Sequence, residues 1–370
     1  MHDKIALAGP DITEKEVAYV VDAVRHGWYQ TYDMHIRKLE RTFAEYVGVK
    51  YAIATYCGTH ALHLATLSLG LKAGDEVICT DQSYIATAQA ISYVGATPVF
   101  VDIRPDTLCI DPEKMEAAIT DRTKAVMLVH FAGFAADMDR ITAIAEKHHL
   151  RIIEDACQAV GVKYKNRFCG SIGDVGTFSF QGSKIAVGGE GGMFVTNDET
   201  LYKRAYHYGT FCRNDSIDYL WSDDIGYNYR ISNVTAALIL AQVERIDELI
   251  AKKKQIFEWY QKYLADVPYI YMLIPESDCT SNYAYVVGFL DEACPLERDE
   301  IIKEMIADQV IMRPGYPSMS LMPHYERRFD VPNSSRYHKR GLVFPTALNI
   351  AEKDIVYVCK KLRQVITEMK

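Results

Sequence analysis

From residue 51 to residue 156 the sequence alternates short, uniformly apolar runs with stretches of helical periodicity, and this alternation restricts the fold more than any other feature. The runs are YAIAT (51–55), EVICT (76–80), PVFVD (98–102), AVMLVH (125–130) and LRIIEDA (150–156). Helices are expected between them at about 59–69, 86–94 and 112–119, with another ending near 148. Repeated strand–helix units build a mainly parallel sheet, because a parallel neighbour is reached only through a crossover. None of the runs alternates apolar with polar residues, so helices must cover both faces.

Upstream, Thr13 and Glu16 have the spacing of a capping box, and Val17, Val20, Val21 and Val24 recur with helical period up to His26. A second helix, HIRKLERTFAEYV, ends at Gly48. After Gly161 the pieces shorten: GTFSF and GGMFVTND read as late strands of the same sheet, followed by a helix over about 199–207. The stretch 233–263 is helical throughout and forms one bridging helix or two consecutive ones. Beyond it YMLIP, NYAYVVGFL, IIKEMIADQ, GLVFPTA and a last helix from about Asp354 to Met369 outline a small α+β domain.

Of the 370 residues, 49% are apolar and 24% charged, which allows a large core and excludes a disordered or collagenous chain. The net charge of −8 comes without a basic arm, so nucleic-acid binding is not expected. Nine cysteines without a CxxC pair indicate neither a disulfide framework nor a zinc site and fit a reducing compartment. The start lacks the pattern of a signal peptide and no apolar run reaches about 18 residues, so the expectation is a cytoplasmic protein with no membrane partner.

Three features fall in loops at strand ends, where ligands of α/β sheets bind. Gly58-Thr59 opens a helix, so its N–H groups and hydroxyl offer either a phosphate seat or an ordinary cap. Glu154-Asp155 closes an apolar strand just before Cys157 and Gln158. A carboxylate at that crevice, Asp155 in this reading, needs a cation, a protonated ring nitrogen or several N–H donors, unless it is only a helix cap. Lys184 sits between the apolar strand GTFSF and a glycine-rich turn, as a point charge for an anion or as an amine nucleophile. The G-x-G-x-x-G, Walker A and H-E-x-x-H motifs are missing, against nucleotide, NAD and zinc-hydrolase readings.

Taken in order over about residues 10–250, five stretches resemble the DegT/DnrJ/EryC1/StrS family of sugar aminotransferases: YAIATYCGTHALHLATLSLGLKAGDEVICTDQSYIATAQAISYVGATPVFVDI, TKAVMLVHFAGFAADMD, IIEDACQAVG, IGDVGTFSFQGSKIAVGGEGGMFVTND and IGYNYRISNVTAALILAQVERID. MRPGYP and GLVFPTA match more loosely. The resemblance implies an α/β fold of the aspartate aminotransferase type (fold type I), with a large cofactor-binding domain over 1–245 and a smaller C-terminal α+β domain over 246–370. It implies pyridoxal 5′-phosphate (PLP) as cofactor, with pyridoxamine 5′-phosphate as the form that holds the nitrogen. The implied reaction moves an amino group from glutamate or glutamine to a keto sugar, nucleotide-linked, in amino-sugar biosynthesis.

By position, the resemblance makes Lys184 the lysine that binds PLP and moves the proton, and Asp155 the partner of the pyridine nitrogen. Gln158 lies near the ring hydroxyl, Tyr84 stacks on the ring, and Gly58, Thr59 and Ser179 seat the phosphate. Asn228 reaches that phosphate from the other subunit of a homodimer. His130 and Arg230 stay open between carboxylate contacts and structural roles, as do Trp28, Tyr29, Tyr316 and His324 between substrate loops and interface packing. Tyr56-Cys57 and Val187 stand where relatives carry hydroxyl residues, and the QGSK loop is reminiscent of members acting on cyclitols. A cyclitol or non-nucleotide ketone is therefore the alternative acceptor. A nucleotide-sugar oxidoreductase or epimerase and a non-catalytic relative are the alternatives of other classes. Lysine rather than histidine at position 184 argues against a dehydrase.

Overall fold

The computed structural model of the protein describes residues 4–275 and 279–368, so the expected helix end at Met369 and the outermost residues of both domain ranges lie outside it. Helix α1 (Glu14–His26) starts from a complete capping box, with Thr13 N–H 2.7 Å from Glu16 Oε2, and α2 (Met34–Val47) stops at Gly48. Then come β1 (Tyr51–Thr55), α3 (Gly58–Ser68), β2 (Glu76–Thr80), α4 (Ala86–Tyr93), β3 (Thr97–Val101), α5 (Pro112–Ala117), β4 (Thr123–Val129), α6 (Met138–His148) and β5 (Arg151–Asp155). A short hairpin of β6 (Lys163–Tyr164) and β7 (Arg167–Phe168) precedes β8 (Val175–Ser179), β9 (Gly192–Thr196) and α7 (Glu199–Gly209).

Among the described residues, seven of these strands form one sheet in the order β1-β9-β8-β5-β4-β2-β3. Its inner pairs are parallel, as the strand–helix alternation requires, but β9 runs antiparallel to both β1 and β8. The amino end of β9 therefore meets the carboxyl ends of its neighbours, with Gly192 opposite both Thr55 and Ser179. All five residues of β2 and of β9 are buried, so neither strand has a wet face.

The long helical stretch is two helices, α8 (Asn233–Val243) and α9 (Ile246–Leu264), parted at Arg245. Helix α8 packs on α1 and α2 against the large sheet, and α9 packs on the C-terminal helix α12 (Glu352–Glu368). Between them lie β10 (Ile270–Met272), β11 (Cys279–Thr280), β12 (Val286–Leu290), α10 (Arg298–Ala307), β13 (Arg313–Pro314), α11 (Pro332–Arg340) and β14 (Gly341–Phe344). A second, antiparallel sheet has the order β10-β12-β14-β13, and its core takes in Ile5 from the start of the chain, which bridges to Val310. None of the described helices is long and apolar enough to cross a membrane.

Carboxylates at the ends of β2 and β3 hold the segment 318–334 against the large sheet. Asp81 accepts from Ser318 Oγ, from Ser320 N at 2.7 Å and from Ser334 Oγ at 2.6 Å, and Asp102 accepts from the N–H groups of Asn333 and Ser334. The opposite end of β2 is held in the same way. Glu76, 1% exposed, accepts from Thr120 Oγ1 at 2.6 Å, Arg122 Nη2 at 2.5 Å and Arg328 Nη1 at 2.6 Å. Burial opposes its charge, but these bonds prevail and bring its pKa from 4.5 to about 2. Because the lowered pKa belongs to the folded state, its stabilisation is full above pH 4.5 and is lost as the pH falls towards 2. Glu76→Gln is expected to cost about 2 kcal/mol in urea unfolding at neutral pH, and the gap between the two proteins should close through that acid window.

Candidate active site

The sheet edge where β1, β8, β5, β4 and β2 end and β9 begins carries the three sequence features. Side chains alternate across a strand, so Glu154 and Asp155 point to opposite faces. Glu154, fully buried, accepts from His130 Nε2 at 2.8 Å and from the N–H groups of Gly170, Ile172 and Gly173 at 2.8, 2.7 and 2.6 Å. Burial opposes its charge, yet the His130 bond and these N–H donors hold its carboxyl below the ordinary range. His130 Nδ1 accepts from Ala136 N–H, so both ring nitrogens are committed and this histidine is structural.

Asp155 is 4% exposed and accepts from Thr87 Oγ1 at 2.7 Å and Cys157 N–H at 3.1 Å. Among the described residues no basic side chain forms an ion pair with it. A buried carboxylate with two neutral donors lacks a cation, which a protonated ring nitrogen would supply.

The first turn of α3 has no side-chain cap. A Cβ on Gly58 would stand 3.0 Å from Cys157 Sγ and 3.1 Å from Ser179 Cβ, so any larger residue would have to push these neighbours away from the helix end. Thr59, half-buried, follows it, and the uncapped N–H groups with the nearby hydroxyls form a seat for a phosphate.

Lys184 is held by a tight turn in which Gln181 Oε1 accepts from the N–H and hydroxyl of Ser183, and Gln181 C=O accepts from Lys184 N–H at 2.8 Å. Ser183 thus helps to build the turn. The glycine stretch that follows passes α8 closely: Gly191 has φ 150°, and a Cβ there would meet Ile239 Cδ1 at 2.6 Å. The Lys184 Nζ lies 3.4 Å from the Tyr285 hydroxyl. Burial works against charge on Lys184, while Tyr285, Tyr316 and Cys157, which face it, push its pKa above the ordinary lysine value. Burial pushes the Tyr285 phenol up, but the Lys184 ammonium and hydrogen bonding to Ser183 more than offset this and hold it below the ordinary tyrosine value.

Gln158 Oε1 accepts from Ala132 N–H at 2.9 Å, and its Nε2 donates to no described residue. It lines the crevice together with Tyr285 and Tyr316. Tyr316 is fixed by Gln82 Nε2, which donates to its carbonyl at 2.8 Å. Tyr84, within electrostatic reach of Tyr316, is 60% exposed. Burial pushes the Cys157 thiol well above its usual pKa, and Cys57 is a free thiol at the same helix end.

Asn228 is the one candidate not brought in: it is exposed, bridges to Thr210 through its backbone, and its side chain has no described partner. Arg230 is tied to Glu40 at 2.6 Å and stacks on Tyr206. Trp28 Nε1 bonds back to Val24 C=O, Tyr29 is exposed, and His324 packs on Tyr325. Sequence reasoning missed Thr87, one helical turn after Tyr84 in the same motif, and Tyr285, which lies in an ordinary strand approach.

The donor set fits PLP: a lysine amine, a buried carboxylate without a cation, a free amide donor, an open aromatic face and an uncapped helix end share one crevice.

The sequence profile of the DegT/DnrJ/EryC1/StrS aminotransferase family matches residues 10–363. A GDP-perosamine synthase of Caulobacter vibrioides is 39% identical over 371 residues, covering 98% of each chain. The crystal structure of DesI in the presence of its TDP-sugar product superimposes with a TM-score of 0.92 at 30% identity, over 100% of this chain and 94% of that one. The PLP form of a putative sugar aminotransferase from Streptococcus pneumoniae gives 0.92 at 27% identity, over 99% and 100%.

Proposed function

Since the chain belongs to the DegT/DnrJ/EryC1/StrS aminotransferase family, we propose that this PLP-dependent aminotransferase moves an amino group from glutamate or glutamine to a nucleotide-linked keto sugar. The observation that carries the acceptor class is the near full-length likeness to a GDP-perosamine synthase, which favours the keto precursor of a GDP-linked amino sugar. When bound, PLP supplies an electron sink for the charge left on the substrate carbon.

Each residue then has a physical task. Asp155 holds a proton on the ring nitrogen and gains the cation it lacks. Lys184 would hold the cofactor through Nζ and supply the base that moves the proton, with the Tyr285 hydroxyl 3.4 Å from that amine. Gln158 Nε2 donates to the ring hydroxyl, Tyr84 covers one ring face, and Gly58, Thr59 and Ser179 hold the phosphate. Asn228 completes that seat in a second copy of the chain. A homodimer is part of this reading, and exposed Tyr29, Tyr219 and Ile225 are available to its interface. A cytoplasmic setting is part of this reading.

The test is a product assay by mass over a panel of GDP-, dTDP- and UDP-linked ketosugars and scyllo-inosose, with glutamate and glutamine compared as donors. The amino product of a nucleotide-linked ketone is expected. Turnover of the cyclitol ketone alone would replace the acceptor, and no amino product at all would sink the proposal.

A further inference from the structure

Tyr285, whose hydroxyl lies 3.4 Å from Lys184 Nζ, shares a pocket wall with a second cation. Strand β13 is an edge of the four-stranded sheet, and its Arg313 stands opposite Val343 of β14, which stands opposite Val287 of β12. Directly opposed residues present their side chains on one face, and these three line the same crevice wall as Gln158, Tyr285 and Tyr316. Among the described residues no acidic side chain lines that wall. Arg313 is exposed, and among the described residues its guanidinium has no hydrogen bond or ion pair. Tyr285 and Tyr316 each feel both Lys184 and Arg313, so the two cations act on the same pair of phenols. A guanidinium left without a carboxylate over an apolar floor suits a planar anion with two oxygens.

We propose that Arg313 anchors the carboxylate of the amino-acid donor. The proposal rests on the aminotransferase reading above. A donor carboxylate is one bond from the carbon whose proton Lys184 takes, so it must lie beside that amine. The diphosphate of a nucleotide sugar is separated from its reacting carbon by the sugar ring and belongs farther out. The competing account is an inward charge that only protects an edge strand from pairing with another sheet.

The test uses the PLP-loaded enzyme and α-methyl-L-glutamate, which has the donor's amine and carboxylates but no proton to lose, so the cofactor's absorbance reads binding and not turnover. Arg313→Gln is expected to raise its dissociation constant by about 10- to 100-fold, with Arg313→Lys in between. Binding of a nucleotide-linked amino sugar should change by no more than about threefold. Melting temperature and the resting cofactor spectrum verify folding, and Arg313→Lys keeps the edge charge should the glutamine variant fold poorly. Weaker nucleotide-sugar binding with donor binding intact would assign Arg313 to the diphosphate and overturn the anchor. Unchanged binding of both would make Arg313 an edge guard and overturn the anchor as well. No response of the wild type to the donor would overturn the aminotransferase reading together with the anchor.

Discussion

Lys184→Ala is expected to lower turnover by about 10⁴-fold or more, because one substitution removes both the covalent hold on the cofactor and the base that moves the proton. The turn that presents Lys184 is built from Gln181 and Ser183, so truncating the side chain leaves the loop intact. The Tyr285 hydroxyl, 3.4 Å from Nζ in the wild type, then faces a gap and lacks the basicity to take over the amine's task. Two measurements separate this from misfolding: the melting temperature should stay near wild type, and borohydride should no longer fix PLP to the chain by mass. Turnover within tenfold of wild type would show that the proton is moved by another group.

Asp155→Asn is expected to cut turnover by about 10²- to 10⁴-fold while leaving the cofactor-free protein at least as stable as the wild type. The opposite signs follow from the same burial. Without cofactor, the wild type keeps a 4% exposed carboxylate on two neutral donors, an unfavourable arrangement that an amide relieves. The Thr87 hydroxyl can turn from donating to accepting, so the amide is accommodated. With cofactor, a carboxylate favours the proton on the ring nitrogen and an amide does not. The rise in melting temperature on adding PLP should therefore be smaller in Asp155→Asn than in the wild type. An equal rise, with turnover intact, would mean that the carboxylate does not meet the ring nitrogen.

The local part of this site was legible because each strand end carries its own signature. The apolar run up to Asp155, the glycine after Cys57 and the lysine before the glycine turn are fixed by backbone constraints acting over a few residues. Period-two alternation also separates Asp155 from Glu154, although the four donors that immobilise Glu154 come from His130 and the 170–173 loop and leave no local trace. Tyr285 and Arg313 escaped notice because they arrive from a second sheet more than 100 residues on in the case of Tyr285, and more distant still for Arg313, where each looks like a common strand residue. The break between α8 and α9 has no glycine or proline. There Arg245 binds Asp11 and Glu16 from the start of the chain, contacts that leave no local trace. The β6–β7 hairpin turns at Lys165-Asn166, both at positive φ, and α11 has too few apolar residues to show a periodic face.

The insertion of β9 between β1 and β8 has a consequence in time. Among the described residues β9 is the sole strand neighbour of β1, and it is made about 140 residues later. At ribosomal speeds that interval is on the order of ten seconds. Through it the nascent chain holds β1 as an unpaired apolar segment, and the first turn of α3 has neither Ser179 nor Gly192 behind it. Cofactor uptake during synthesis must then wait until β9 has emerged, and a chain stalled just after β8 presents the open β8 edge and the unattached β1 to the chaperones that meet it.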